Sequence, residues 1–225
     1  FVHNALDWIH DIPSTVVEPP IDDFLADEIP KERTILSVGR FSDGLYNNKR
    51  YDVLIDAFKK LYARLPSTTW QYHLVGACGS DEASQQYFRR LQDSAHGLPI
   101  YFHLNPSYQD LRRHYNEATI FWHAAGLGVD EDKHPERAEH FGMSTLEAMS
   151  ARCVPVVVNS GGQKEIVSHY ESGYLWNSVD ELVEHSLKLM SDHELLANLQ
   201  SQARERFKEF DREHFSYKLL SAIEV

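Results

Sequence analysis

Two glutamates stand eight positions apart in AEHFGMSTLEAM, Glu139 and Glu147, and two cations flank a loop in VGRFSDGLYNNKRYD, Arg40 and Lys49. These residue types have a definite chemistry. An ionised carboxylate offers two acceptor oxygens, which match the two O–H donors of a ribose 2′,3′-diol. An Arg fork grips phosphate oxygens in bidentate fashion, and a Lys acts on a diphosphate as a point charge. Gly39 lets the backbone turn before the loop that carries both cations, and Gly142 and Ser144 mark the start of a helix whose free N–H groups and positive dipole end favour phosphate. Plainer readings stand beside these. Arg40 and Lys49 also read as solvated loop cations, and Ser144-Thr145-Leu146-Glu147 fits the S-x-x-E capping box, in which Glu147 only caps its own helix.

Other candidates are weaker. Gly161 and Gly162 follow the apolar run VPVVV, as a loop that approaches a ligand closely or as a simple turn. Asp130 and Asp132 form a D-x-D pair that could hold a divalent cation, but their surroundings, GVDEDKHPERAEH, read as a solvated loop. His123 and His140 lie near strand ends. With thirteen histidines in the chain a stray one there is unsurprising, and no histidine pair has zinc-ligand spacing. No metal is expected.

The elements that must position these residues are legible. Short apolar runs at Thr34 to Val38, Trp70 to Val75, Ile100 to Leu104, Thr119 to His123 and Val154 to Val158 alternate with segments of helical period. Leu54, Phe58, Leu61 and Leu65 fall on one helix face, and further helices are expected over Glu82 to Ser94, Tyr108 to Asn116, Ser144 to Ala151, Val179 to Met190 and His193 to Phe210. Such alternation predicts a doubly wound α/β fold, a single Rossmann-like parallel sheet covered by helices on both faces. TILSV and VPVVV lack period-2 alternation, as strands buried on both faces should. After Gly173 the chain reads as nearly all helical. Pro13, Pro19 and Pro20 mark residues 1–33 as an extended connector, leaving 34–225 as the domain. In a doubly wound sheet ligands bind at the carboxyl ends of the strands, near the switch in strand order. Most of the candidates fall at such ends.

Composition narrows the function. The 225 residues are 42% hydrophobic and 25% charged, ordinary globular values. The 34 acidic residues outnumber the 22 basic ones, for a net charge of -12, and a field of that sign repels nucleic acid. An anionic ligand therefore needs a local cradle of cations and backbone amides. Cys78 and Cys153 lie far apart in apolar surroundings and read as free thiols of a reducing compartment. No run approaches the ~18 apolar residues of a membrane span and no signal-peptide pattern opens the chain, so a cytoplasmic location is expected, with peripheral attachment to a membrane left open. The G-x-G-x-x-G fingerprint is absent, since Gly39 and Gly44 stand five apart, which removes the main support for an NAD-dependent oxidoreductase.

Taken together, GR…K before the LIDAF helix, EHFGMSTLEAM with its E-x7-E, PVV, GGQKEIV and GYLW resemble, in this order, the C-terminal donor-binding half of a retaining GT-B glycosyltransferase of the family 4 type. The resemblance runs from about Val16 to Phe207. It implies that Arg40 and Lys49 bind the donor diphosphate and neutralise the leaving group, that Glu147 holds the ribose hydroxyls, and that Glu139 contacts the donor sugar. It further implies that the backbone of Phe141, Gly142 and Met143 faces sugar and phosphates, and that Leu104 to Ser107, including Asn105, meets the nucleobase. Gly39, His123, Ser144, Gly161 and Gly162 join the candidates on the same ground. The expected partner is a nucleotide-sugar donor without cofactor or metal, with a glycan, lipid or small-molecule acceptor bound by an N-terminal domain that this chain does not contain. The chain by itself should bind donor and transfer sugar poorly. Two alternatives remain: a glycoside hydrolase using Glu139 and Glu147, and a non-catalytic nucleotide-sugar binding module. One departure from the family stands out. Arg152 occupies a position where its members commonly have Gly, so a left-handed backbone is expected there on a residue that resists it.

Overall fold

In the computed structural model, which describes residues 15–44, 48–65 and 67–223, the apolar runs fold as one six-stranded sheet: β1 (Thr34–Val38), β2 (Gln71–Gly76), β3 (Ile100–Leu104), β4 (Ile120–His123), β5 (Val154–Val158) and β6 (Tyr174–Trp176). All pairings are parallel, in the order β3-β2-β1-β4-β5-β6. Winding runs outward from β1 to β3, then returns to the centre and runs the other way from β4. The carboxyl ends of β1 and β4 therefore flank the switch point where such folds bind ligands.

The five strands expected from the sequence are present. A sixth, β6, lies where the sequence reads as helical. It is only three residues long, too short to declare itself by pattern, and its fully buried Trp176 and Tyr174 hold it against β5 and the helices.

Eight helices among the described residues cover the faces: α1 (Tyr51–Arg64), α2 (Glu82–Ala95), α3 (Tyr108–Glu117), α4 (Met143–Ser150), the short α5 (Gln163–Ile166), α6 (Val179–Ser191), α7 (His193–Phe207) and α8 (Arg212–Ile223). Side chains at Asp81, Ser107, Ser178 and Asp192 cap α2, α3, α6 and α7 by accepting backbone N–H bonds of 2.9 to 3.2 Å. Helix α4 begins at Gly142 with no side-chain cap. Alternate residues of each strand feed two cores. Ile35, Tyr72, Trp122 and Val156 pack under α1, α2 and α6, whereas Leu36, Val75, Phe121 and Val157 pack under α3, α4 and α7.

Residues 15–33 contain neither helix nor strand, yet they are fastened to the domain; the expectations for 1–14 lie outside the described residues. Ile21 and Phe24 are buried in the second core. Asn116 accepts from Ala26 N–H at 2.8 Å and donates to Phe24 O at 2.7 Å, and Arg204 grips Asp23 through bonds of 2.7 and 2.6 Å.

Helix α4 stops as the sequence predicts, in a left-handed Arg152 with φ of 61°. Arg152 N–H donates to Met149 O and Cys153 N–H to Ala148 O, the paired bonds of a Schellman cap. The close returns the chain directly into β5.

Candidate functional site

Three side chains from three loops and strands converge at the switch point. His123, the last residue of β4, is 2% exposed and its Nε2 lies 3.1 Å from Glu139 Oε2. Lys49, from the loop between β1 and α1, is ion-paired to the same oxygen, with both side chains about five-sixths buried. Burial pushes the Glu139 carboxyl up, but the His123 hydrogen bond and the Lys49 ammonium outweigh it and hold Glu139 well below the usual carboxylate range. Burial and the neighbouring Lys49 depress the His123 pKa, against the pull of Glu139. Facing the Glu139 carboxylate, His123 donates through its Nε2–H, and its Nδ1 is buried with no hydrogen-bond partner among the described residues.

Glycines make this assembly fit. A Cβ on Gly39 would meet Lys49 Cγ at 2.8 Å, so the absent side chain is what lets the Lys49 stem cross the turn after β1. On the other side, Gly161 and Gly162 press against the backbone of the Glu139 turn. A Cβ on Gly161 would lie 2.2 Å from Glu139 O, and one on Gly162 would lie 2.5 Å from Phe141 O, while Gly162 N–H donates to Glu139 O at 2.8 Å. The pair is a close-approach device that sets the Glu139 loop rather than a flexible turn.

Glu147 is also anchored. Its Oε2 accepts from the buried Tyr115 hydroxyl at 2.6 Å, and burial, aided by Asp22, raises its pKa against the effect of that bond. The capping box expected at Ser144 does not form. Gly142, with φ of 114°, starts the helix at Met143, so Ser144 is its second residue and lies inside the position a cap must occupy. Glu147 is thereby free of capping duty, and the N-cap of α4 makes no side-chain hydrogen bond to the first amides. Met143 is half exposed above this helix start, whereas the Phe141 ring turns to the second core against Phe210.

The Arg40 side chain is exposed and makes no ion pair or hydrogen bond among the described residues, while its backbone oxygen accepts from Ser42 N–H at 3.1 Å. Asn105, in the left-handed region with φ of 49°, sits exposed after β3, with its N–H bonded to Gly76 O. It shares the carboxyl edge of the sheet with the cluster, two strands away from β1.

Two groups escaped sequence reasoning. Glu131, between the two aspartates considered as a cation pair, turns inward, accepting from Gly161 N–H at 2.8 Å and from Lys164 at 2.6 Å; Asp130 lies outside, paired with Lys133. The charged stretch hid a residue that supports the glycine loop. The second is a set of three histidines, His73 on β2, His103 on β3 and His114 on α3, whose candidate ligand atoms all lie within 4.8 Å of one another. No linear spacing links residues of three separate elements. Cys153 is fully buried and Cys78 half-buried, both as free thiols. A surface hollow of about 470 Å³ lined by Lys31, Arg33, Trp70 and Thr119 opens at the amino ends of the strands and touches none of the switch-point residues.

The family of glycosyl transferases group 1 matches residues 22–206, and the chain belongs to it. Its fold is that of the C-terminal half of a GT-B glycosyltransferase. The chain is 28% identical over 229 residues to a Xenopus laevis protein named GDP-Man:Man(3)GlcNAc(2)-PP-Dol alpha-1,2-mannosyltransferase, a match covering 94% of this chain and 44% of that protein. A glycosyltransferase from Rickettsia africae superposes with a TM-score of 0.75 at 18% identity over 98% of this chain and 60% of that one. Anabaena HepE, solved with UDP and glucose, gives 0.68 at 20% identity over 86% and 48%. The chain spans less than half the length of the curated relative it matches here. No helix among the described residues is long and apolar enough to cross a membrane.

Proposed function

We propose that this chain is the donor-binding half of a retaining glycosyltransferase, which moves a sugar from a nucleoside-diphosphate sugar to an acceptor held by a separate N-terminal half. The observation that carries the reading is the junction of Lys49, His123 and Glu139 at the carboxyl ends of β1 and β4.

The charge balance of that junction supports the following roles. Lys49 already compensates Glu139, so the two negative charges of a diphosphate must be met by the remaining donors: the Arg40 guanidinium, unpaired among the described residues, the other ammonium hydrogens of Lys49 and the first amides of α4. Cleavage of the sugar–phosphate bond develops negative charge on the departing diphosphate and positive charge on the sugar. Cations fixed at the first and an ionised Glu139 at the second interact more strongly with the transition state than with the ground state. The positive side of that balance comes from side chains, so the reading requires no divalent metal. Glu147, held by Tyr115, takes the ribose diol, and the Leu104–Ser107 loop meets the base.

Among donors, GDP-mannose comes first, because a relative aligned over nearly the whole chain is named for it. The hydrolase alternative has no role for Lys49, which is tied directly to Glu139. Thermal melting against GDP, UDP, ADP and their sugars, in chelator, tests the proposal. A matching ligand at 100 times its dissociation constant should stabilise the chain by about 2.7 kcal/mol. Flat melting curves across the panel, or a shift that appears only with manganese, would contradict it.

A further inference from the structure

We infer that His73, His103 and His114 form a binding site for a borderline divalent transition metal of the zinc type, which clips the edge strand β3 and its neighbour β2 to helix α3. The three rings come from separate elements. In the β2–β3 register His73 stands opposite Tyr101, and Val75 opposite His103, so the two strand histidines are diagonal neighbours on one face. Helix α3 lays His114, 6% exposed, across them. Ring centroids are 4.2 Å apart for His103 and His114 and 4.9 Å for His73 and His103.

The polar atoms point to a ligand. His103 Nε2 and His114 Nδ1 are both buried without a hydrogen-bond partner among the described residues, and buried polar atoms in native proteins are nearly always satisfied. His73 Nε2 lies 3.2 Å from the Gln71 side-chain oxygen. That oxygen only accepts, so Nε2 carries the hydrogen and Nδ1 keeps its lone pair, the arrangement in which a metal-binding histidine is held through its other nitrogen. Candidate ligand atoms within 4.8 Å of one another need only small ring rotations to reach the ~3.3 Å separation implied by metal–nitrogen bonds of about 2.0 to 2.1 Å. Glu117 Oε2 lies 3.9 Å from His114 Nδ1 and can supply a fourth ligand at the rim. Arg113, the cation beside the cluster, is drawn aside by Asp110 at 2.9 Å. Three imidazoles select zinc, copper or nickel over magnesium and calcium, which need oxygen ligands.

The test titrates the chelator-stripped 225-residue chain with zinc by calorimetry and with cobalt by visible absorption. One equivalent should bind saturably, give the spectrum of a tetrahedral cobalt site and raise the melting temperature, while magnesium does neither. His103→Gln and, as a variant at a half-buried position that spares the packed α3 ring, His73→Gln should each weaken binding by about 100-fold or more, with circular dichroism unchanged. The exposed control His96→Gln/His193→Gln should bind as the parent does. Absence of saturable binding below millimolar zinc, or equal affinity in His103→Gln, His73→Gln and parent, would overturn the site.

Discussion

Two clusters of largely buried polar side chains occupy the same sheet under opposite electrostatic rules. At the switch point, the His123 hydrogen bond and the Lys49 ion pair hold the buried Glu139 carboxyl well below the usual carboxylate range. At the sheet edge, His73, His103 and His114 have no carboxylate within hydrogen-bonding distance. Burial, with their mutual repulsion, pushes His73 and His114 down to about 4, and burial with nearby Arg113 lowers His103. Burial is common to both, so the partner decides the protonation state. The paired cluster is held by charge, whereas the histidine cluster offers lone pairs.

Breaking the pair should have the largest effect. Lys49→Met leaves Glu139 buried without its counter-ion and should destabilise the chain by about 3 kcal/mol. Lys49→Met/Glu139→Gln should regain most of that loss, a coupling that urea denaturation in a double-mutant cycle measures. A comparable loss, about 2 to 3 kcal/mol, is expected for Gly161→Ala, where φ of 56° and the contact with Glu139 O both oppose a side chain.

The two clusters should also separate by pH. For His73 and His114 the folded-state pKa lies below the unfolded 6.5, so the unfolded chain binds more protons between about 4 and 6.5. Stability is then full above 6.5 and falls as pH drops toward 4, with a slope of up to about 1.4 kcal/mol per pH unit for each group. Glu139 is depressed below its ordinary 4.5, so its contribution persists through that window and fades only as pH falls below it. Denaturation midpoints of parent and His73→Gln from pH 7 to 4 check this; a parallel decline in both would count against the histidine assignment.

The smallest effect belongs to Arg152→Gly. Glycine relieves a left-handed backbone worth about 1 kcal/mol and forfeits an exposed ion pair with Asp27 worth less. Unchanged or slightly higher stability is expected on thermal melting, and a clear loss would give Arg152 a role beyond the cap.

The members of the switch-point cluster were legible in the sequence chiefly through the family resemblance, since taken locally Lys49 reads equally well as a solvated loop cation. Strand-end positions for Gly39 and His123 follow from apolar runs, but the meeting of Lys49 and His123 on one Glu139 oxygen was not read from the sequence. The left-handed Arg152 was legible too, as an exception to a glycine position. What pattern could not supply were partners in space: Tyr115 under Glu147, Glu131 behind Gly161, and the three histidines. The start of α4 was misplaced for a local reason. S-x-x-E is a sound capping signal, but the left-handed Gly142 takes the N-cap position two residues before Ser144, too early for Ser144 to serve it. Three-residue β6 is set by tertiary burial of Tyr174 and Trp176 rather than by its own pattern.

The central claim is that Arg40 and the Lys49–Glu139 junction hold a diphosphate without metal. Calorimetric titration, in chelator, of the nucleoside diphosphate that gives the largest thermal shift tests it most directly, comparing parent with Arg40→Ala. The account predicts saturable binding by the parent and a loss of about tenfold or more in Arg40→Ala, with melting temperature unchanged because Arg40 is exposed and unpaired among the described residues. Equal affinity in both proteins would contradict it.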